Sequence, residues 1–376
     1  MRQKTAKLFS HIDWPMLLSA VGISLAGLVT MNSFSIENSY FEHQVIWIVI
    51  SIAVFFLFSL IDFRFLRRRD TIIALFVATV VALFAIFIFG EVVKGAQSRF
   101  DFGAFAVQPS EYAKLVVIAL LAKYFTRRHI EIAHIRHILV SGAYAFIVFV
   151  LILLQPDFGS AIMIMFIWFG MVLVSGISKK HLLLVFLAAS LGAGALWSFG
   201  LHDYQKDRIM TFLHPLADLQ GTGYNAHQSM IAVGSGQFLG KGIGYGTQSK
   251  LRFLPEYQTD FIFASFAEEW GFVGVAILFA LFALLIWRIL AAASLGASNF
   301  ETLFCVGVAI LFISHFIVHV GMNMGLLPVT GVTLPFASYG GSHLLTEFAA
   351  LGIVSAMRRY SRTAHKIETQ REFLGA

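Results

Sequence analysis

The sequence predicts an all-α polytopic membrane protein with about ten transmembrane helices and one long extracytoplasmic loop. Three observations carry this. Of the 376 residues, 58% are hydrophobic and only 13% are charged, against roughly 25% charged in a soluble domain. Mean hydropathy is +0.79, so run length rather than periodicity decides the elements. Long apolar runs alternate with short polar gaps everywhere except residues 200–269, a stretch rich in Gly, Gln, His and Tyr. The whole chain, 1–376, reads as a single integral membrane domain with 200–269 as a large extracytoplasmic loop within it.

The spans run Trp14–Phe34, Gln44–Leu60, Thr71–Phe89, Pro109–Phe125, Ile138–Leu154, Phe158–Ser175, His181–Phe199, Phe272–Leu290, Thr302–Met322 and His343–Met357. The first follows Arg2, Lys4 and Lys7, but it is too long for a signal-peptide core and is read as a span. Lys and Arg set the orientation. One set of gaps holds Arg2, Lys4, Lys7, Arg64, Arg67, Arg68, Arg69, Lys123, Arg127, Arg128, Arg136, Lys179, Lys180, Arg288, Arg358, Arg359, Arg362, Lys366 and Arg371. The short gaps of the other set hold Lys94 and Arg99. That asymmetry puts both termini in the cytoplasm and the long loop outside. The net charge of +6 therefore reflects topology rather than nucleic-acid binding. Cys305 is the single cysteine, so disulfides and C-x-x-C motifs are excluded.

Asp260 draws attention first, because it sits between the polar loop and an apolar segment, in Phe253-Leu254-Pro255-Glu256-Tyr257-Gln258-Thr259-Asp260-Phe261-Ile262-Phe263. A carboxylate at a membrane boundary marks chemistry, or else it caps the next helix. In Gln108-Pro109-Ser110-Glu111-Tyr112-Ala113-Lys114 the proline suits a first helical turn. Glu111 there meets the positive end of the helix dipole, and Lys114 is on the same face three residues later. The two read as a structural ion pair or as groups lining a site. Asp157, in a very short outside turn, reads as a cap or a site residue. The loop glycines lack a preceding strand and a P-loop pattern, so no nucleotide is expected. Gln228–Ile231 reads as a short amphipathic surface helix. His315, His319 and Asn323 share one helix face, and without a carboxylate nearby they read as an inward polar stripe rather than a metal site. Gly325, Pro328 and Gly331 interrupt an apolar stretch. Such backbone is tolerated at membrane depth only inside protein or beside a wet cavity, so a re-entrant element supporting a site is expected.

These segments together resemble the SEDS family (shape, elongation, division and sporulation proteins). The resemblance is carried by Gly95-Ala96 with Arg99, Gln108 to Glu111 with Lys114, Gln155-Pro156-Asp157 with Gly159, and Tyr204-Gln205 with Arg208. It continues through Gln228-Ser229 to Gly236, Gly246-Thr247-Gln248-Ser249, Phe253 to Phe263, and Gly325 through Ser342. Gly-Thr-Gln-Ser followed directly by Phe-Leu-Pro-Glu looks more like the RodA branch than the FtsW branch. The chain departs from the family pattern at Phe100, Met230 and Gln237.

The resemblance implies a peptidoglycan glycosyltransferase that polymerises lipid II into glycan strands for cell elongation and rod shape. Asp260 corresponds to the family's essential acid. Implied partners are lipid II, the growing glycan strand, a class B penicillin-binding protein transpeptidase and other elongation-complex membrane proteins. The donor is α-linked to diphosphate and the product β-linked, so one displacement inverts the centre. A diphosphate leaves without a general acid, so one carboxylate can suffice as base. Alternatively Asp260 holds a divalent cation, Mg²⁺ or Mn²⁺, on the diphosphate. Arg208, Arg99 and Lys114 are candidates to neutralise the leaving charge. Glu111, Asp157, Gln228, Ser229, Glu256 and Ser338 are the further candidates for substrate contact. The rival readings are a lipid-linked precursor flippase, the FtsW-type paralogue, and a structural scaffold. A flippase needs polar groups through the midplane, whereas these cluster at the outer face.

Overall fold

The structure, a computed structural model, describes residues 12–34, 39–93, 96–101, 103, 106–126, 135–201, 203–214, 223–251 and 253–374. Of the charge pattern above, Arg2, Lys4, Lys7, Lys94, Arg127 and Arg128 lie outside the described residues, as do the side chains of Arg362, Lys366 and Arg371. The chain forms α1 Trp14–Phe34, α2 Ser39–Leu60, a short turn of tight helix at Phe63–Arg67, and α3 Arg69–Phe89. After strands β1 Glu91–Val93, β2 Ala96–Asp101 and β3 Ala106–Val107 come α4 Pro109–Thr126, α5 Ile135–Leu153, α6 Phe158–Val174 and α7 Lys179–Ala195. The long loop contributes α8 Asp203–Leu213, α9 Tyr224–Ser235 and α10 Thr247–Lys250. The last three helices are α11 Ile262–Ser294, α12 Asn299–Asn323 and α13 Gly341–Leu374.

Each of the ten expected spans coincides with a helix. Among the described residues seven are long and apolar enough to cross a membrane by length and composition. The other three are special for stated reasons: α4 carries Glu111, Lys114 and Lys123, α6 has 17 residues, and α13 runs on into a polar segment. α12 is central and packs on α4, α6 and α11, while α1 packs on α11 and α2 on α13. α7 stands at the periphery with no buried side chain.

The segment before α4 differs from the all-helical expectation. It is a small antiparallel sheet in the order β1-β2-β3. Two-residue and three-residue strands carry almost no alternation to read in a sequence. The sheet is tied to α3 by Gln97, whose amide donates to Gly90 O at 2.7 Å.

α11 breaks at Gly271 (φ 62°, ψ −164°), a backbone region open essentially to glycine. The break separates a short segment at 262–270 from the span. A helix break strands N–H and C=O groups, and the loop before α10 takes them up. Lys241 N donates to Glu268 O and Gly242 N to Glu269 O, both at 3.0 Å, while Phe272 N donates to Gln237 O at 2.9 Å. The carboxylates of Glu268 and Glu269 face the same loop. Glu268 accepts from Lys241 Nζ at 2.7 Å, Thr247 N at 2.9 Å and Gln248 N at 3.2 Å, and Glu269 from Gly244 N at 2.5 Å. The Gly-Thr-Gln-Ser motif is thus folded onto the segment that follows Asp260.

At the opposite end of the bundle Asp13, 2% exposed, accepts from Arg288 Nη2 at 2.7 Å and also from Arg358. Arg67 pairs with Glu301 at 2.6 Å, and Lys123 donates to Arg67 O. Four of the cations that the charge pattern assigned to one side of the membrane therefore gather at one end.

Gly271→Ala is expected to destabilise the fold by about 1–3 kcal/mol from backbone strain alone, with a further cost because a β-carbon there meets Gly240 N. A lowered thermal unfolding midpoint in detergent is the measurement; an unchanged midpoint contradicts the break as a glycine-dependent feature.

Candidate active site

Residues 324–340, between α12 and α13, form no helix; 332–338 are largely buried in the bundle, whereas Met324, Leu326 and Gly331 are exposed. Gly325 and Gly331 turn the chain at φ 71° and 74°. Phe336, fully buried, packs edge-on against Phe312 of α12 and Phe348 of α13, with ring centroids 5.1 and 5.3 Å away. The loop's polar groups are met from three sides. His319 Nδ1 lies 2.7 Å from Val332 O, and His315 Nδ1 3.2 Å from Thr333 O. Phe336 N donates to Glu347 Oε2 at 2.7 Å. Ser338 Oγ accepts from Leu334 N and donates to Thr259 O, both at 2.8 Å.

That last bond joins the loop to the turn carrying Asp260. Tyr339 N also donates to Gln258 O at 2.8 Å. Within the turn, Glu256 adopts φ 52° and its carbonyl receives Thr259 N and Phe261 N. Asn323, at the end of α12, fixes the turn from below. Its amide donates to Asp260 O at 3.0 Å and to His319 O at 2.8 Å, and its Oδ1 accepts from Ala264 N at 3.2 Å. Ser229 of α9 donates to Asn323 O at 2.9 Å. One buried amide therefore locks α9, α11, α12 and the Asp260 main chain together. The N-cap position of α11 belongs to Phe261, and Asp260 precedes it by one residue.

Beside Asp260 lies a cavity of about 220 Å³. Its walls are Ser98 of β2, Gln108, Asp157, Gln205 and Arg208 of α8, and the loop from Pro328 to Gly331. Asp260 is not among the lining residues, but its Oδ2 lies 3.6 Å from where a β-carbon on the lining residue Gly331 would stand. Asp157 of the lining accepts from Ser160 N at 3.0 Å and so caps α6, while its other oxygen accepts from Gln108 Nε2 at 3.0 Å. It is both a cap and a cavity wall. Gly159 brings α6 against the loop, where a β-carbon would meet Thr330 O at 2.7 Å.

Under the cavity runs a buried charge network. Lys114 Nζ donates to Glu111 Oε1 at 2.8 Å and lies 3.3 Å from His315 Nε2. Glu111 Oε2 lies 3.0 Å from His343 Nδ1, and His343 Nε2 lies 2.9 Å from Glu347 Oε1. The expected Glu111–Lys114 pair is present and forms one part of a five-member chain.

The expected site residues thus divide. Asp157 and Arg208 line the cavity and Asp260 borders it. Arg99 follows Ser98 on β2 and is not among the residues that line the cavity. Gln228 is half-buried on α9, and Glu256 is half-buried in the turn before Asp260, its Oε2 3.3 Å from Thr259 Oγ1. The expectation of substrate contact is revised for Ser229 and Ser338, each 0% exposed, and for Lys114, 2% exposed, and Glu111, 7% exposed. All four are spent on internal bonds that position the turn and the loop. Sequence reasoning missed Gln108, His343 and Glu347 as site supports. Two ionisable residues at i,i+4 inside an apolar run were the available signal for the last two. Among the described residues no group of three or more His, Cys, Asp or Glu is arranged to hold a metal ion.

Comparison with known proteins gives one answer. Residues 8–363 match the profile of the FTSW_RODA_SPOVE family, described as "Cell cycle protein". The chain is 34% identical over 357 residues to peptidoglycan glycosyltransferase MrdB of Escherichia coli, covering 95% of this chain and 96% of that protein. Among solved structures it resembles a chain of "Structural coordination of polymerization and crosslinking by a peptidoglycan synthase complex" at 30% identity and TM-score 0.79, covering 93% of this chain and 98% of that one. It also resembles the crystal structure of the rod shape determining protein RodA of Thermus thermophilus, at 28% identity and TM-score 0.69, covering 92% and 96%.

Asn323→Ala is expected to cut activity more than ten-fold with a clear loss of stability. It leaves buried partners around Asp260 unsatisfied at roughly 1–3 kcal/mol each. Turnover and thermal melting measured side by side test this; equal activity at equal stability contradicts the locking role.

Proposed function

Since the chain belongs to the FtsW/RodA/SpoVE family of cell cycle proteins, the SEDS family, we infer that it is a peptidoglycan glycosyltransferase of the RodA type, with Asp260 as general base. What supports the residue assignment is one arrangement: a carboxylate beside Gly331 of a cavity that Arg208 also lines, with its main chain fixed by Asn323. The substrate is lipid II. The acceptor hydroxyl gives its proton to the Asp260 carboxylate as its oxygen bonds to the donor's anomeric carbon. The bond from that carbon to the diphosphate breaks on the other face, and the polyprenyl diphosphate departs with the electron pair. Arg208 balances the charge that develops on it. No nucleotide takes part, because the diphosphate bond supplies the driving force.

A divalent cation, Mg²⁺ or Mn²⁺, belongs to this proposal as an accessory. Such ions are commonly held by one or two carboxylates together with substrate phosphates, so Asp260 and the diphosphate would hold it jointly, and it would stabilise the leaving charge.

The chain is a multi-pass membrane protein, and its placement in the bacterial inner membrane with both termini cytoplasmic is proposed from the Lys and Arg distribution. That puts the Asp260 cavity on the outer face. The likeness to a chain of a complex that couples polymerisation to crosslinking supports a class B penicillin-binding protein transpeptidase as partner. The growing glycan strand and further elongation-complex proteins complete the proposed assembly.

Asp260→Asn is expected to lower polymerisation of purified lipid II by at least ~100-fold, with melting unchanged. If the residue acts chiefly through a cation, excess Mg²⁺ or Mn²⁺ partly restores the variant; a base variant does not respond. Near-normal polymer from Asp260→Asn overturns the assignment.

A further inference from the structure

A second cavity, of about 340 Å³, lies between α3, α4 and α5 at the end of the bundle opposite Asp260. It is lined by Arg69, Ile72, Ile73, Leu120, Lys123, Tyr124, Arg136, Val140 and Tyr144, and no part of the reaction above uses it. We propose that this cleft binds the phosphate headgroup of an anionic phospholipid, with the first part of an acyl chain running down its apolar wall.

The argument rests on how polarity is ordered along the helices. Arg69 begins α3, and Ile72 and Ile73 follow one turn deeper. Lys123 lies in the last turn of α4, with Leu120 one turn deeper. Arg136 lies in the first turn of α5, with Val140 one turn and Tyr144 two turns deeper. All three helices thus place a cation at the membrane edge and apolar atoms toward the membrane core. A free-anion site has no use for the apolar half.

Two helices begin here, so the positive ends of their dipoles add to the three side-chain charges. α4 ends here, and Lys123 covers that negative end. Among the described residues no Asp or Glu lines the cleft; Asp70, beside Arg69, is exposed and lies off the lining. The walls are fixed. Tyr124 Oη lies 2.9 Å from His137 Nδ1, the Tyr144 ring stands edge-on to Phe76 at 5.6 Å, and Lys123 is anchored on Arg67 O. Lys and Arg at such positions, between spanning helices, suit anionic headgroups. Under the orientation proposed above this is the cytoplasmic leaflet; the binding itself does not depend on that orientation.

The test titrates phosphatidylglycerol, phosphatidylcholine or inorganic phosphate into delipidated full-length protein in neutral detergent and counts retained lipid by native mass spectrometry. Phosphatidylglycerol is expected to be retained in preference to phosphatidylcholine. At about five-fold per basic residue, Arg69→Gln/Arg136→Gln is expected to weaken its binding roughly 25-fold, while Arg69→Lys/Arg136→Lys keeps most of it. Melting of each variant without lipid separates loss of binding from loss of fold. Should the glutamine variant fail to fold, the parent's lipid preference and the lysine variant decide. Equal retention of the two lipids overturns the proposal, as does parent-like binding by a folded glutamine variant. Inorganic phosphate that displaces the lipid as well as short-chain phosphatidylglycerol does means a site for free anions, and overturns it too.

Discussion

Backbone that is not helical cannot sit in a membrane bundle unless each of its polar groups finds a partner in the protein. Residues 324–340 impose that requirement here, and the architecture around Asp260 can be read as its solution. Val332 and Thr333 present carbonyls to the two histidines of α12, Phe336 presents its N–H to Glu347, and Ser338 bridges Leu334 to Thr259. The partners come from α12, α13 and the Asp260 turn. Satisfying the loop therefore also fixes those elements relative to one another.

The charges follow from the same requirement. Glu347 can serve Phe336 N only as a buried acceptor, and a lone buried carboxylate is costly. His343 stands against it, Glu111 stands against His343, and Lys114 against Glu111. Each member offsets the burial of the next, and the chain ends on His315, which returns to the loop at Thr333 O. The circuit begins and ends on the irregular segment. A cavity wall held this way keeps its shape while substrate passes, and a base needs that fixed geometry.

Much of this was legible in the residues. The ten runs, the boundary near Gly271, the broken stretch after α12 and the Glu111–Lys114 pair all follow from run length, glycine placement and the cost of intramembrane charge. The divided roles of the site residues were not. Ser229 and Ser338 look like surface polar groups beside a loop, and only the fold puts Asn323 and Thr259 against them. Asp157 caps α6 with one oxygen, as one reading had it, and its other oxygen meets Gln108 at the cavity. The sheet before α4 escaped because its longest strand has six residues and its partners are far shorter. His343 and Glu347 carried a readable signal, since ionisable residues four apart in an apolar run share a helix face.

The buried acids of this chain fit the proposal that Asp260 acts as base. Glu111, Glu268, Glu301 and Glu347 are 7%, 0%, 2% and 4% exposed, and each is engaged by named donors inside the protein. A proton taken by any of them would break a pairing that the fold depends on. Asp157 reaches the cavity, but its two oxygens are committed to the α6 cap and to Gln108. Asp260 is partly exposed, and Asn323 holds its main chain. That anchor does not pass through the carboxylate, so a proton gained by the proposed base leaves it intact.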